Sequence, residues 1–210
     1  MVNNYDKIAK HYDFLSRLVF FKSQVYAQIN QLKHIPKNSS ILIVGGGTGW
    51  ILEEITKIHS SGLEIVYVEV SAKMITLSKQ KNSGNNTVEF FSKGIENFAT
   101  QNTFDIILTP FLFDNFSVDD ANSAFKKLDK VLKNNGLWFF TDFNVQGKSA
   151  WWKLLFIQFM YQFFTIFKII DTKKLINMSP YFEKYHYAIV EKKLYYGTFI
   201  EAIVYRKKLN

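Results

Sequence analysis

The run Ile41-Leu-Ile-Val-Gly-Gly-Gly-Thr-Gly49, with Val66-Tyr-Val-Glu69 about twenty residues further on, constrains this chain more than any other feature. An unbroken apolar stretch reads as a strand covered on both faces, and the glycines after it let the backbone turn sharply and approach a ligand closely. Helical periodicity then leads into a second apolar run that ends in an acid. A carboxylate at that place can accept hydrogen bonds from both hydroxyls of a ribose. The unit therefore predicts an α/β sheet that binds a nucleoside-containing cofactor at the carboxyl ends of its strands.

The loop spacing narrows the choice of cofactor. A dinucleotide fingerprint counted from Gly45 and Gly47 puts its last glycine at Trp50, whose bulk leaves no room for a pyrophosphate against a helix start. A Walker phosphate loop is excluded as well, because no Gly-Lys-Ser or Gly-Lys-Thr closes the turn. The third glycine is Gly49, and this Gly-x-Gly-x-Gly spacing with Glu69 on the next strand resembles motif I and the ribose-binding acid of class I S-adenosylmethionine-dependent methyltransferases. The likeness runs from about Tyr5 to Arg206. Tyr5-Asp-Lys-Ile-Ala-Lys-His-Tyr-Asp13 is similar to the opening of the quinone-biosynthesis branch, which gives Tyr12 the place over the methionine end of the cofactor. Phe104-Asp-Ile-Ile-Leu-Thr109 resembles the fourth strand, and Leu132-Lys-Asn-Asn-Gly-Leu-Trp-Phe-Phe-Thr-Asp142 the turn and fifth strand.

The resemblance implies an S-adenosylmethionine site built from Tyr12, Gly45, Gly46, Gly47, Thr48, Gly49, Glu69, Val70, Ile95 and Thr109. Thr48 has a second reading as the cap of the helix that begins near Trp50, since a threonine hydroxyl there satisfies a free backbone amide. Two positions depart from the family pattern. Gly94 stands where an acid commonly meets the adenine amino group, which leaves backbone groups and apolar stacking from Val70 or Ile95, and Ile43 stands where many relatives carry an acid.

A chain of 210 residues, 48% hydrophobic, is long enough for one well-buried domain and too short for two, so residues 1–210 are expected to form a single methyltransferase domain. Within it, residues 1–36 would be an N-terminal helical cap and residues 150–180 a helical lid or interface segment. The absence of cysteine excludes disulfides and thiolate metal sites, no metal is required, and the opening residues lack the pattern of a secretory signal. A cytoplasmic protein is the expectation. The net charge of +8 is almost all lysine, with arginine only at Arg17 and Arg206, which argues against nucleic acid as the partner, since base and phosphate recognition favours the guanidinium fork.

Apolar periodicity predicts helices over 5–11, 14–33, 48–59, 72–81, 118–132 and 150–169, and strands over 40–45, 64–69, 87–92, 104–109, 136–142, 184–192 and 197–206. Alternation of strand and helix from 40 to 142 predicts a parallel, doubly wound Rossmann-like sheet, and the last two strands, with no helix-length sequence between them, an antiparallel pair. By resemblance the order of the seven strands is 3-2-1-4-5-7-6.

Methyl transfer from a sulfonium asks chiefly for alignment, so no catalytic triad is implied. Candidate bases are Asp114, which also reads as a helix cap, Asp142 at the end of strand five, and His11 and His186, although a lone histidine is more often a structural or surface residue. Thr109-Pro-Phe-Leu-Phe-Asp-Asn-Phe116 lacks the Asn-Pro-Pro-Tyr pattern that holds an exocyclic amine, so a small apolar or aromatic acceptor, such as a quinone precursor or a lipid-like molecule, is expected. RNA or protein methylation, and a nucleoside-binding scaffold without activity, are the alternatives. The aromatic segment Trp151–Ile170 is amphipathic with a wide apolar face. Such a helix can serve as a lid over the acceptor, pack on the sheet or on a second copy of the chain in a homodimer, or make peripheral contact with a membrane surface.

Overall fold

The computed structural model describes residues 22–144 and 175–209. The expected helices over 5–11 and 150–169, and with them His11, Tyr12 and the aromatic segment, lie outside the described residues.

The strands are β1 (Ser40–Val44), β2 (Ser61–Glu69), β3 (Asn85–Ser92), β4 (Phe104–Pro110), β5 (Leu132–Phe143), β6 (Ala188–Tyr195) and β7 (Ile200–Arg206). They form one seven-stranded sheet in the order β3-β2-β1-β4-β5-β7-β6. The pairs from β3 through β5 are parallel, and β7 runs antiparallel to both β5 and β6. This is the order implied by the family resemblance. Central parallel strands are covered on both faces and so read as continuous apolar runs, as Ile41–Val44 and Ile106–Leu108 do.

Helices α1 (Ser23–Ile29), α2 (Trp50–Ile58), α3 (Ala72–Ser78), α4 (Val118–Val131) and α5 (Ser179–Lys184) complete the layers. Ile51, Leu52 and Ile55 of α2 and Ile75 of α3 pack with Ile41, Ile43, Ile106 and Leu108 on one face of the sheet. Ala121, Ala124, Phe125 and Leu128 of α4 and Phe182 of α5 pack with Leu42, Ile107, Trp138 and Phe140 on the other. The buried Gln31, just past α1, donates through Nε2 to Phe140 O (2.9 Å) and Ile203 O (3.1 Å) and accepts from the Thr141 hydroxyl (2.9 Å). It ties the N-terminal layer to neighbouring strands of the sheet. Among the described residues no helix is long and apolar enough to cross a membrane.

Several boundaries differ from the expectations. The helix expected over 14–33 is, in its described part, α1 followed by a 3-10 turn at Leu32–His34. Strand β5 begins at Leu132, directly at the end of α4, because Leu132 already pairs with Phe104 of β4 and residues 133–136 fall within the register irregularity before Leu137 pairs with Ile106. The strand expected over 184–192 begins at Ala188, and α5 precedes it. A helix of six residues is too short to show a period, and Pro180 at its start suits the first helical turn. β6 is the edge strand and largely exposed, so it lacks the alternation that marks a half-buried strand.

Candidate functional site

A cavity of about 430 Å³ lies at the carboxyl ends of β1, β2 and β4. That is within the ~300–1,000 Å³ of small-molecule sites, and the place is where an open α/β sheet binds ligands. Its floor is the glycine loop. The loop takes positive φ at Gly45, Gly47 and Gly49, and Gly45 N donates back to Val68 O at 2.9 Å.

Two side chains of β2 hold the loop in shape. Glu69, 5% exposed, accepts from Gly47 N through Oε2 and from Ser71 N through Oε1, both at 3.0 Å. One carboxylate thus joins the glycine loop to the start of α3, whose first turn Ser71 caps by accepting from Met74 N. The fully buried Tyr67 donates its hydroxyl to Gly47 O at 3.0 Å. A Cβ on Gly46 would lie 2.7 Å from Tyr67 Cε2, so only glycine passes over this ring. Tyr67 sits inside an otherwise apolar strand, and nothing in its sequence context marks it as a loop support.

Of the residues implied as cofactor-binding, Gly45, Gly46, Gly47, Thr48, Glu69, Val70 and Ile95 line the cavity. Thr48 is not the helix cap, because that position falls to Gly49. Gly49 itself does not line the cavity and packs against Ser78 of α3. Thr109 is also displaced from its expected role. It is fully buried, and its hydroxyl accepts from Trp138 Nε1 at 2.9 Å, away from the cavity. β4 is covered on both faces, so sequence alone did not tell which way Thr109 points; its neighbours Pro110, Phe111 and Leu112 form the wall instead. The position of Ile43 is core, fully buried among α2 and α3 side chains.

The acidic candidates stand behind this wall. Asp142 is 4% exposed and accepts from Phe143 N (2.8 Å) and Phe113 N (3.2 Å), so it fixes the turn Phe113–Asn115 to the end of β5. Asp114 accepts from Asn115 Nδ2 at 2.6 Å, and the same amide donates to Phe111 O at 3.0 Å. Neither carboxylate lines the cavity. Asp114 is no helix cap either: Ser117 caps α4. His186 lies between α5 and β6, also off the cavity. Among the described residues no three His, Cys, Asp or Glu side chains are placed to hold a metal ion.

Burial pushes the Asp142 carboxyl up to about 7, opposed by the backbone amides of Phe143, Phe113 and Asp114 and reinforced by nearby Glu201. Asp114 moves in the same direction, from burial and the neighbouring Asp142. A carboxyl whose folded pKa exceeds its unfolded value of ~3.9 holds a proton more firmly when folded. Its contribution to stability is therefore full below pH ~4 and is lost as pH rises through about 7. Asp142→Asn removes this titration but replaces one of the two acceptor oxygens, Oδ1 or Oδ2, by an amide donor facing a backbone N–H. The variant is expected to be less stable than wild type near pH 4 and to regain ground relative to it as pH rises to 8. Urea midpoints for both proteins across that range check this; parallel profiles would show that Asp142 does not titrate there.

The methyltransferase-domain family matches residues 41–136. The ubiquinone/menaquinone biosynthesis C-methyltransferase of Geotalea daltonii is 31% identical over 140 residues, 63% of this chain and 58% of that protein. The demethylmenaquinone methyltransferase of Bacillus licheniformis is 28% identical over 136 residues, 63% of this chain and 57% of that protein. The chain thus spans little more than half the length of these curated relatives. Among solved structures, the 1,6-didemethyltoxoflavin-N1-methyltransferase of Burkholderia thailandensis, crystallised with 1,6-didemethyltoxoflavin and S-adenosylhomocysteine, superposes with a TM-score of 0.66 at 12% identity, over 97% of this chain and 86% of that one. The matched methyltransferase domain runs from β1 into β5 and contains the glycine loop with Glu69, and the shared fold extends the likeness over nearly the whole chain, whose strand order is the one expected of class I S-adenosylmethionine-dependent methyltransferases.

Proposed function

We propose that this chain transfers a methyl group from S-adenosylmethionine to a small apolar or aromatic acceptor, a quinone precursor or a molecule of lipid-like chemistry. The observation that carries the reading is the pairing of two unlike surfaces in one cavity. The glycine loop and Glu69 form a polar cradle, and Pro110, Phe111, Leu112 and Phe116 form an apolar wall beside it.

The residues present fit the cofactor. Glu69, already held by two backbone amides, would accept hydrogen bonds from the ribose hydroxyls at the end of β2. Val70 and the buried Ile95 offer apolar surface to a base, and the loop amides stand beside the start of α2. When bound, the cofactor supplies an electrophilic methyl on a sulfonium that becomes a neutral thioether as the methyl leaves. The chain's own contribution is to fix that end of the cavity and to present the acceptor in line with it, which is where most of the rate enhancement of such a displacement arises. Phe111 and Phe116 suit a planar or acyl acceptor, because aromatic faces stack on such groups and exclude water. Two of the relatives named above are quinone-biosynthesis methyltransferases, which favours the same chemistry.

Calorimetric titration with S-adenosylmethionine and S-adenosylhomocysteine tests the first half of the reading, and saturable binding of both is expected. Incorporation of labelled methyl into a panel of quinols, phenols, lipid extract and RNA tests the second. Label in quinols or lipid is the expected result; label in RNA alone would overturn the acceptor class.

A further inference from the structure

Gly46 is the glycine of the loop whose backbone does not ask for glycine: Gly45, Gly47 and Gly49 take positive φ, and Gly46 does not. What excludes a side chain there is Tyr67. A Cβ on Gly46 would come 2.5 Å from Tyr67 Cζ and 2.7 Å from Cε2. The ring has little room to make way. It is fully buried, its register partners are Ile43 of β1 and Phe90 of β3, and its centroid stands 5.4 Å from that of the Phe90 ring. Tyr67 and Glu69 are two apart on β2 and so share one side of it. Both reach the same residue of the loop. Gly47 N donates to Glu69 Oε2 and the Tyr67 hydroxyl donates to Gly47 O, each at 3.0 Å.

In a trans peptide the C=O of one residue and the N–H of the next point in opposite directions. Gly47 O turns inward to Tyr67, which does not line the cavity, whereas Gly46, Gly47 and Thr48 do. The N–H of the same peptide unit, that of Thr48, is thereby turned the other way. Three successive glycines, Gly45 to Gly47, have no side chains of their own to fix this peptide, and their backbone freedom lets it rotate. We propose that Tyr67 is a positioning residue for the ligand: its hydroxyl fixes the Gly47–Thr48 peptide with the N–H facing the cavity, where it donates to an oxygen acceptor of the bound cofactor. This role rests on the cofactor reading above. Gly46 is glycine so that the loop can pass over the ring that holds it.

The test starts from Tyr67→Phe, which keeps the ring and removes only the hydroxyl. The hydroxyl biases the peptide by at most the worth of one neutral hydrogen bond, so S-adenosylhomocysteine should bind the variant about twofold to fivefold more weakly. The melting temperature should fall by no more than about 4 °C. Amide NMR supplies a signal that core packing alone would not move. On addition of S-adenosylhomocysteine to wild type, the Thr48 amide proton should shift downfield and gain protection from exchange, and both changes should be smaller in Tyr67→Phe. Gly46→Ala should weaken binding about tenfold and lower the melting temperature, because the added methyl meets the ring. In a Tyr67→Val background the same substitution should cost far less, since the two positions are coupled through that contact. Equal affinity of wild type and Tyr67→Phe, or a Thr48 amide that does not respond to bound ligand, would overturn the role of Tyr67. A Gly46→Ala penalty of the same size in both backgrounds would overturn the interlock with Gly46. Wild-type protein that binds no S-adenosylhomocysteine would overturn the cofactor reading and this role with it.

Discussion

Glu69→Ala is expected to lower affinity for S-adenosylhomocysteine a hundredfold or more while the protein still folds. Each hydrogen bond from a ribose hydroxyl to a carboxylate contributes about 1.5 to 3 kcal/mol, and two are lost together. A second effect has the same sign. The carboxylate is what ties Gly47 N to Ser71 N, so its removal leaves two amides of the cradle without this acceptor and lets the loop relax away from its binding shape. Glu69→Gln separates the two contributions. It retains one acceptor oxygen with the same reach, loses the charge, and should fall between wild type and alanine. Titration calorimetry at a temperature where all three proteins are folded by circular dichroism gives the comparison. A dissociation constant within threefold of wild type for Glu69→Ala would remove Glu69 from the site.

Glu69 was legible in the sequence for the same reason that the sheet order was. Both follow from local patterns with a fixed period: apolar strands that alternate with helices, a turn that needs glycine, and an acid where an apolar run ends. The supports of the loop were not legible, because they are contacts between residues far apart along the chain. Tyr67 looks like any aromatic residue in a strand, and its hydroxyl finds Gly47 O only after β2 has paired with β1. Lys127 looks like one lysine among many on an amphipathic helix, yet it gathers three carbonyls of the turn after β3. Thr109 and Asp142 illustrate a different limit. In strands buried on both faces the alternation that assigns a side chain to one side or the other is absent, so position at a strand end did not reveal that Thr109 serves Trp138 or that Asp142 serves the amide of Phe113. Gly94 was legible as a departure from the family, whereas the Glu96 carboxylate that fills its space is visible only once the turn is folded.

The second large effect is on stability, at Trp138. This fully buried side chain of β5 lies where both helices of its layer meet the sheet. It stacks on Phe125 of α4 with centroids 4.9 Å apart and meets Phe182 of α5 edge-on at 5.1 Å. Its indole N–H donates to Thr109, which satisfies both polar groups inside an apolar layer. Trp138→Ala should therefore cost about 3 to 5 kcal/mol, from lost burial and the cavity left between two helices that cannot both move in. For a chain of this size each kcal/mol shifts the melting temperature by roughly 2 to 4 °C, so a fall of about 10 °C is expected. Trp138→Phe should lose less, because most of the ring contact remains and the Thr109 hydroxyl gives up one hydrogen bond, worth about 1 kcal/mol. The same substitutions carry a prediction for the site. Phe113 packs on Trp138 at 6.4 Å between ring centroids, and the turn it begins supplies Asn115 to the cavity wall, whereas neither Phe113 nor Trp138 itself lines the cavity. At a temperature where Trp138→Ala is still folded, S-adenosylhomocysteine should bind as it does to wild type, and any loss should appear in the acceptor KM. A loss of stability below about 1 kcal/mol in Trp138→Ala would mean that the layer closes around the gap, and that the aromatic stack is not what holds α4 and α5 to the sheet.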